Sequence, residues 1–195
     1  MQKAQDDLPG ALQSYRESLA IMRKLAAQDP KNAGWQRDLR VAYEKLGRAA
    51  SAQGNRAEAL QCYRASASIT QNLVENARAQ TNAESKRTLA LELGSLAWYR
   101  ELCGEFPEAL KASTEAMTLS PSHGPESLAL NYAHALLFSG QYENAKGIYM
   151  KFKGQKQESG KRFEDIARED FRQLRQARQN HPDMEKIEAL LRDQP

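Results

Sequence analysis

Residues 53–63 read QGNRAEALQCY, and the chain writes close variants of that stretch three more times. They are QDDLPGALQSY at 5–15, CGEFPEALKAS at 103–113 and SGQYENAKGIY at 139–149. Each opens on small or turn-prone residues, passes through polar ones and reaches an alanine: Ala11, Ala59, Ala109 or Ala145. A tyrosine follows four residues later in three of them, at Tyr15, Tyr63 and Tyr149. Gly54, Gly104 and Gly140 stand where one helix must stop before the next begins, and glycine enters the required left-handed conformation at little cost. Past the turn, the alanine leaves room for a close neighbour, and the tyrosine one turn on reaches the same face. The pattern predicts a helix, a tight turn and a second helix, repeated. One such unit leaves an apolar face bare, so the units must stack.

Composition agrees. The chain has 195 residues, rich in Ala, Leu, Glu, Gln, Lys and Arg and poor in the β-branched residues that favour strands. An all-α fold follows. The net charge is only +3, with both signs interspersed, which points to neither a nucleic-acid nor a membrane partner. No apolar run approaches the roughly 18 residues of a membrane span, and MQKAQDDLPG lacks the apolar core of a secretory leader. Cys62 and Cys103 sit inside helical patterns and read as structural thiols of a reducing compartment, so a cytoplasmic location is expected.

In residues 33–78, Tyr43, Leu46, Gly47, Gly54, Ala59 and Tyr63 follow the pattern of the tetratricopeptide repeat family, which the chain resembles. Residues 83–120 supply Leu93, Leu96, Ala97, Gly104, Ala109, Ala116 and Pro121 to the same pattern. Residues 124–153 supply Ala129, Ala133, Gly140, Ala145 and Tyr149. The resemblance covers most of 5–153. It implies a right-handed α-solenoid of helix-turn-helix units and a role in protein–protein interaction.

Two departures qualify it. Successive aligned alanines are 48, 50 and 36 residues apart, whereas the family repeats about every 34. The first two units should therefore have helices about two turns longer than usual, as in the long-helix arrays of bacterial multidomain signalling proteins. The first unit also keeps only its second helix, from about Pro9 to Gln28, so the chain is expected to be the C-terminal part of a longer protein. After Phe152, KGQKQESGKR reads as a polar linker. Two capping helices should follow, with stripes Phe163, Ile166, Ala167, Phe171, Leu174 and Met184, Ile187, Leu190, Leu191. Between them Asp183 is placed to cap the second. The expected organisation is an array over 1–153, then linker and capping helices over 154–195.

Candidate chemistry is sparse. His123, His134 and His181 are far apart, and no metal-ligand pair, phosphate loop or nucleophile elbow occurs. No enzyme, metal or cofactor is expected.

In the tetratricopeptide family the first helix of each unit lines a concave groove. Residue by residue, the resemblance assigns that role to Glu44 and Arg48, with Lys45 at the edge. From the next unit come Leu91, Trp98, Glu101 and Leu102, and from the last Leu130, His134 and Phe138, with Asn131 at the edge. Arg48, Trp98 and His134 share one register position, and Arg48 with Lys45 and Asn131 could clamp a carboxylate. Leu91, Trp98 and Leu102 form a second apolar stripe on a helix that already has one, and both stripes must be covered. Three coverings are open: the tail helix through Phe163, Ile166 and Phe171, a partner's amphipathic helix or extended peptide, or a second copy of the chain. A spacer role, or a sensor region of a signalling protein, is the alternative function.

Overall fold

The computed structural model describes residues 8–79, 83–120, 126–156 and 160–192, and the named elements among them are all helices. These are α1 Leu8–Gln28, α2 Ala33–Ala52, α3 Arg56–Arg78, α4 Ala83–Cys103, α5 Phe106–Leu119, α6 Glu126–Phe138, α7 Tyr142–Phe152, α8 Phe163–Gln176 and α9 Met184–Leu191. The opening of the 5–15 stretch and the turn residues Pro121 and His123 lie outside the described residues. The chain forms two compact units, 1–73 and 74–195, divided inside α3. Residues 154–192 thus belong to the same unit as α4 to α7. Helices α1 to α4 run 20 to 23 residues, and α5 to α7 only 11 to 14. That length difference accounts for the two wide spacings of the repeat.

The three repeated turns share one hydrogen-bond pattern. Gly54, Gly104 and Gly140 have φ of +79°, +80° and +76°. Each glycine N–H donates to the carbonyl three residues back: Ser51, Glu101 and Leu137, at 3.0 Å in every case. The next N–H reaches five residues back, from Asn55 to Ala50, Glu105 to Arg100 and Gln141 to Leu136, at 2.9, 2.8 and 2.9 Å. These bonds satisfy carbonyls that a helix end would leave bare. The following helix then starts identically, with the N–H of Ala59, Ala109 and Ala145 donating to Asn55, Glu105 and Gln141.

In the first unit the core is Leu12, Leu19, Ala42, Leu46, Ala49 and Cys62, with Tyr15, Met22, Leu39 and Tyr43 packed against it. Ile21 is 56% exposed. Two positions past Leu19 on a helix is the opposite side. Gly47 is a packing requirement, since a Cβ there would lie 2.8 Å from the Tyr63 ring. Between α1 and α2, residues 29–32 read DPKN, and there Asn32 Oδ1 accepts the Trp35 N–H at 3.1 Å and caps α2. Arg16 of α1 grips the Glu58 carboxylate of α3 through Nε and Nη2.

In the second unit Gly94 of α4 lets α6 approach, because a Cβ there would collide with Leu128. Asn131 locks the crossing by donating from Nδ2 to the Gly94 carbonyl at 2.8 Å. Ala109, Ala116, Ala133, Ala145 and Tyr149 are completely buried. Helix α8 turns Phe163, Ala167, Phe171 and Leu174 inward, and α9 contributes Met184, Ile187 and Leu191.

After Phe152, the described residues on either side of 157–159 are drawn together. Gly154 and Gly160 take φ of +81° and +79°, and Phe163 N–H returns to the Gln155 carbonyl at 2.9 Å. Lys156 and Arg162 pair in an isolated antiparallel bridge. Buried Glu164 joins the two sides, accepting from Gly154 N–H at 2.9 Å with Arg162 Nε 2.9 Å from its other oxygen. Asp183 occupies the N-cap position of α9, but its side chain accepts no backbone N–H. Its carboxylate faces Lys186 Nζ at 2.6 Å instead. The far end of α9 is held by Lys153, which donates to the Leu190 and Arg192 carbonyls, and by Arg168, which donates to Leu191. Its side is held by Arg175, which meets both oxygens of Glu188 at 2.7 and 2.8 Å.

Candidate functional site

The groove-register residues have different surroundings in the two units. On α2, Lys45 and Arg48 are exposed and Glu44 is half-buried, with Arg48 Nη1 3.9 Å from the Glu44 carboxylate. Val41, one turn before Lys45, is 36% exposed. This face is wet and charged.

The same register in the second unit is mostly interior. Glu101, Leu102, Leu130 and His134 are buried, Trp98, Asn131 and Phe138 are half-buried, and Leu91 is 39% exposed. Trp98 and His134 lie together, their ring centroids 6.1 Å apart. Arg48 belongs to the other unit. Asn131 is engaged with the Gly94 carbonyl, as above. Phe138 stacks on Phe106 at 4.4 Å and takes the edge of His181 at 5.6 Å.

Helix α8 closes this face. The Phe171 ring stands 5.2 Å from His134 and 5.9 Å from Tyr149. Beneath it His134 Nδ1 approaches Glu101 Oε2 to 3.6 Å, with both side chains wholly out of water. Neither side chain has a protein partner at hydrogen-bond distance, and nor does the Tyr149 hydroxyl. Burial dominates their acid–base behaviour. It pushes the His134 imidazolium down to about 3. It holds the Glu101 carboxyl well above its usual range, helped by the nearby charge of Asp170. Tyr149 is raised in the same way, by burial and then by Glu101 and Asp170.

The thiols are of the inert kind. Cys62 is buried, and its pKa rises to about 11 chiefly through desolvation. Cys103 is half-buried before the Gly104 turn. Among the described residues no cluster of three or more His, Cys, Asp or Glu is placed to hold a metal ion, and no helix is long and apolar enough to cross a membrane.

No sequence signal announces the enclosed pair. Glu101 and His134 come from different helices, 33 residues apart, and only the α4–α6 crossing with α8 above it brings them together. Compared with protein-family models, curated proteins and solved structures, the chain matches none.

Proposed function

We propose that the chain is a non-catalytic interaction scaffold of the cytoplasm: a right-handed α-solenoid of tetratricopeptide-like units that takes an amphipathic helix or extended peptide from a protein partner. The observation that carries this reading is α8 itself. An amphipathic helix of the chain already rests on the face built by α4 and α6, with Phe171 against His134 and Tyr149. A surface that accepts one such helix has the shape and apolar chemistry to accept another. The face also continues outward, since Leu91 lies two turns along α4 from Trp98 and is 39% exposed. An exposed leucine two turns from a half-buried Trp on one helix offers a partner's apolar anchor a place to dock.

Affinity capture with the full chain tests it, with Leu91→Asp and Trp98→Ala as controls. A partner lost from both variants at unchanged melting temperature supports the scaffold. Capture unaffected by either variant, or no capture at all, overturns it.

The occupied face also favours a second reading, a structural spacer whose groove is filled by its own tail. Self-association through Leu91 and Trp98 would then be the only use of the exposed end. Light scattering separates the two: a dimer abolished by Leu91→Asp belongs to the spacer reading.

A further inference from the structure

Three polar side chains from three helices are sealed in the second unit: Glu101 of α4, His134 of α6 and Tyr149 of α7. Helix α8 forms the fourth wall through Phe171. Asp170 of α8 bears on Glu101, and Glu101 and Asp170 together bear on Tyr149 of α7. Asp170 is an acid and disfavours a Glu101 carboxylate, whereas His134, with Nδ1 3.6 Å from Glu101 Oε2, is placed to balance one. An unbalanced carboxylate with no exposure to water is strongly unfavourable.

Two arrangements avoid that. In one, Glu101 is protonated and His134 neutral. In the other, a carboxylate faces an imidazolium. Both hold one proton between the two residues. From this geometry we infer that the Glu101–His134 pair retains one proton while α8 covers it, and that uncovering the pair above neutral pH releases that proton to solvent.

The direction follows from counting protons. In water a glutamate titrates near 4.5 and a histidine near 6.5. Above about pH 6.5 the uncovered pair carries no proton, so opening releases one and is favoured by alkali. Between about 4.5 and 6.5 the uncovered pair carries one, now on histidine, and opening is insensitive to pH. Below about 4.5 opening takes one up and is favoured by acid. The separate shifts agree. The raised Glu101 contributes stability that is full below 4.5 and is lost as pH rises. The depressed His134 contributes stability that is present above 6.5 and is lost as pH falls toward 3. The two slopes cancel between 4.5 and 6.5 and leave one proton's dependence on either side. Cys62 and Tyr63, raised to about 11 and about 12, titrate above the range from pH 6 to 8.

The inference does not depend on any partner, so its failure and the scaffold's are independent. The test uses the full chain with Trp35→Phe, which leaves Trp98, 6.1 Å from His134, as the fluorescent reporter. Urea unfolding is followed at intervals from pH 4 to 8. The unfolding constant extrapolated to water should rise about 30-fold from pH 6 to 8. In Glu101→Gln that rise should vanish, and the acid limb should begin near 6.5 instead of 4.5. A constant that is flat from pH 6 to 8 in the unsubstituted pair, or a rise that persists in Glu101→Gln, overturns the inference. If Glu101→Gln does not fold, the unaltered chain unfolded at pH 8 in weak buffer reports directly. Release of about one proton supports the inference, and release of none overturns it.

Discussion

Arg48 of α2 and His134 of α6 were assigned the same register position from the sequence, yet Arg48 stands in water beside Glu44 and His134 has no exposure at all. Nothing in the repeat register distinguishes them. What differs is α8, which brings Phe171 down onto His134. Register gives only which residues share one side of a helix. Whether that side is solvent or core depends on a helix encoded some 40 residues further on. A groove transferred by register from a repeat family is therefore a list of directions, and each direction needs its own burial measured before it becomes a binding residue.

The comparison can be broken most forcefully at Phe171. Phe171→Ala removes a fully buried ring and should cost about 3–5 kcal/mol in urea unfolding. Truncating partly exposed Val41 on the α2 face to alanine should cost no more than about 0.5 kcal/mol. Equal losses at the two sites would mean that the second unit's face is not a core.

Gly47→Ala probes helix approach in the first unit. Its Cβ would meet the Tyr63 ring, so a loss of about 1–3 kcal/mol is expected by thermal or urea melting.

A smaller effect of opposite sign is expected at Arg178. It has φ of 60°, and its N–H donates to Arg175 while that of Gln179 donates to Leu174. These are the bonds of the three glycine turns, made here with a residue that has a Cβ. Arg178→Gly should stabilise the chain by about 1 kcal/mol. A loss would show that the end of α8 is not built like the repeat turns.

The least effect is expected at Arg48. Its contact with Glu44 is 3.9 Å long and exposed, so Arg48→Ala should change stability by less than about 0.5 kcal/mol.

Legibility varied with the range of the interactions. The glycine turns were readable because their bonds span only three to five residues and need one special backbone conformation. The α8 stripe was readable because Phe163, Ala167, Phe171 and Leu174 recur at helical spacing. Asp183 shows a local rule outbid: Lys186, one turn along α9, takes the carboxylate that a cap would have used. The turn at Arg178 was hidden for the opposite reason, since no glycine marks it. The contact of Glu164 with Gly154 was not legible in the polar stretch after Phe152, because it joins residues ten apart that meet only in the folded chain.

By itself, then, the sequence determined the helices, their three repeated turns and the small residues that let them approach, because each depends on neighbours within about a turn. Only the tertiary structure decided that Glu101, His134 and Tyr149 are buried together. Burial of a side chain is a property of what lies over it, and here the cover is α8.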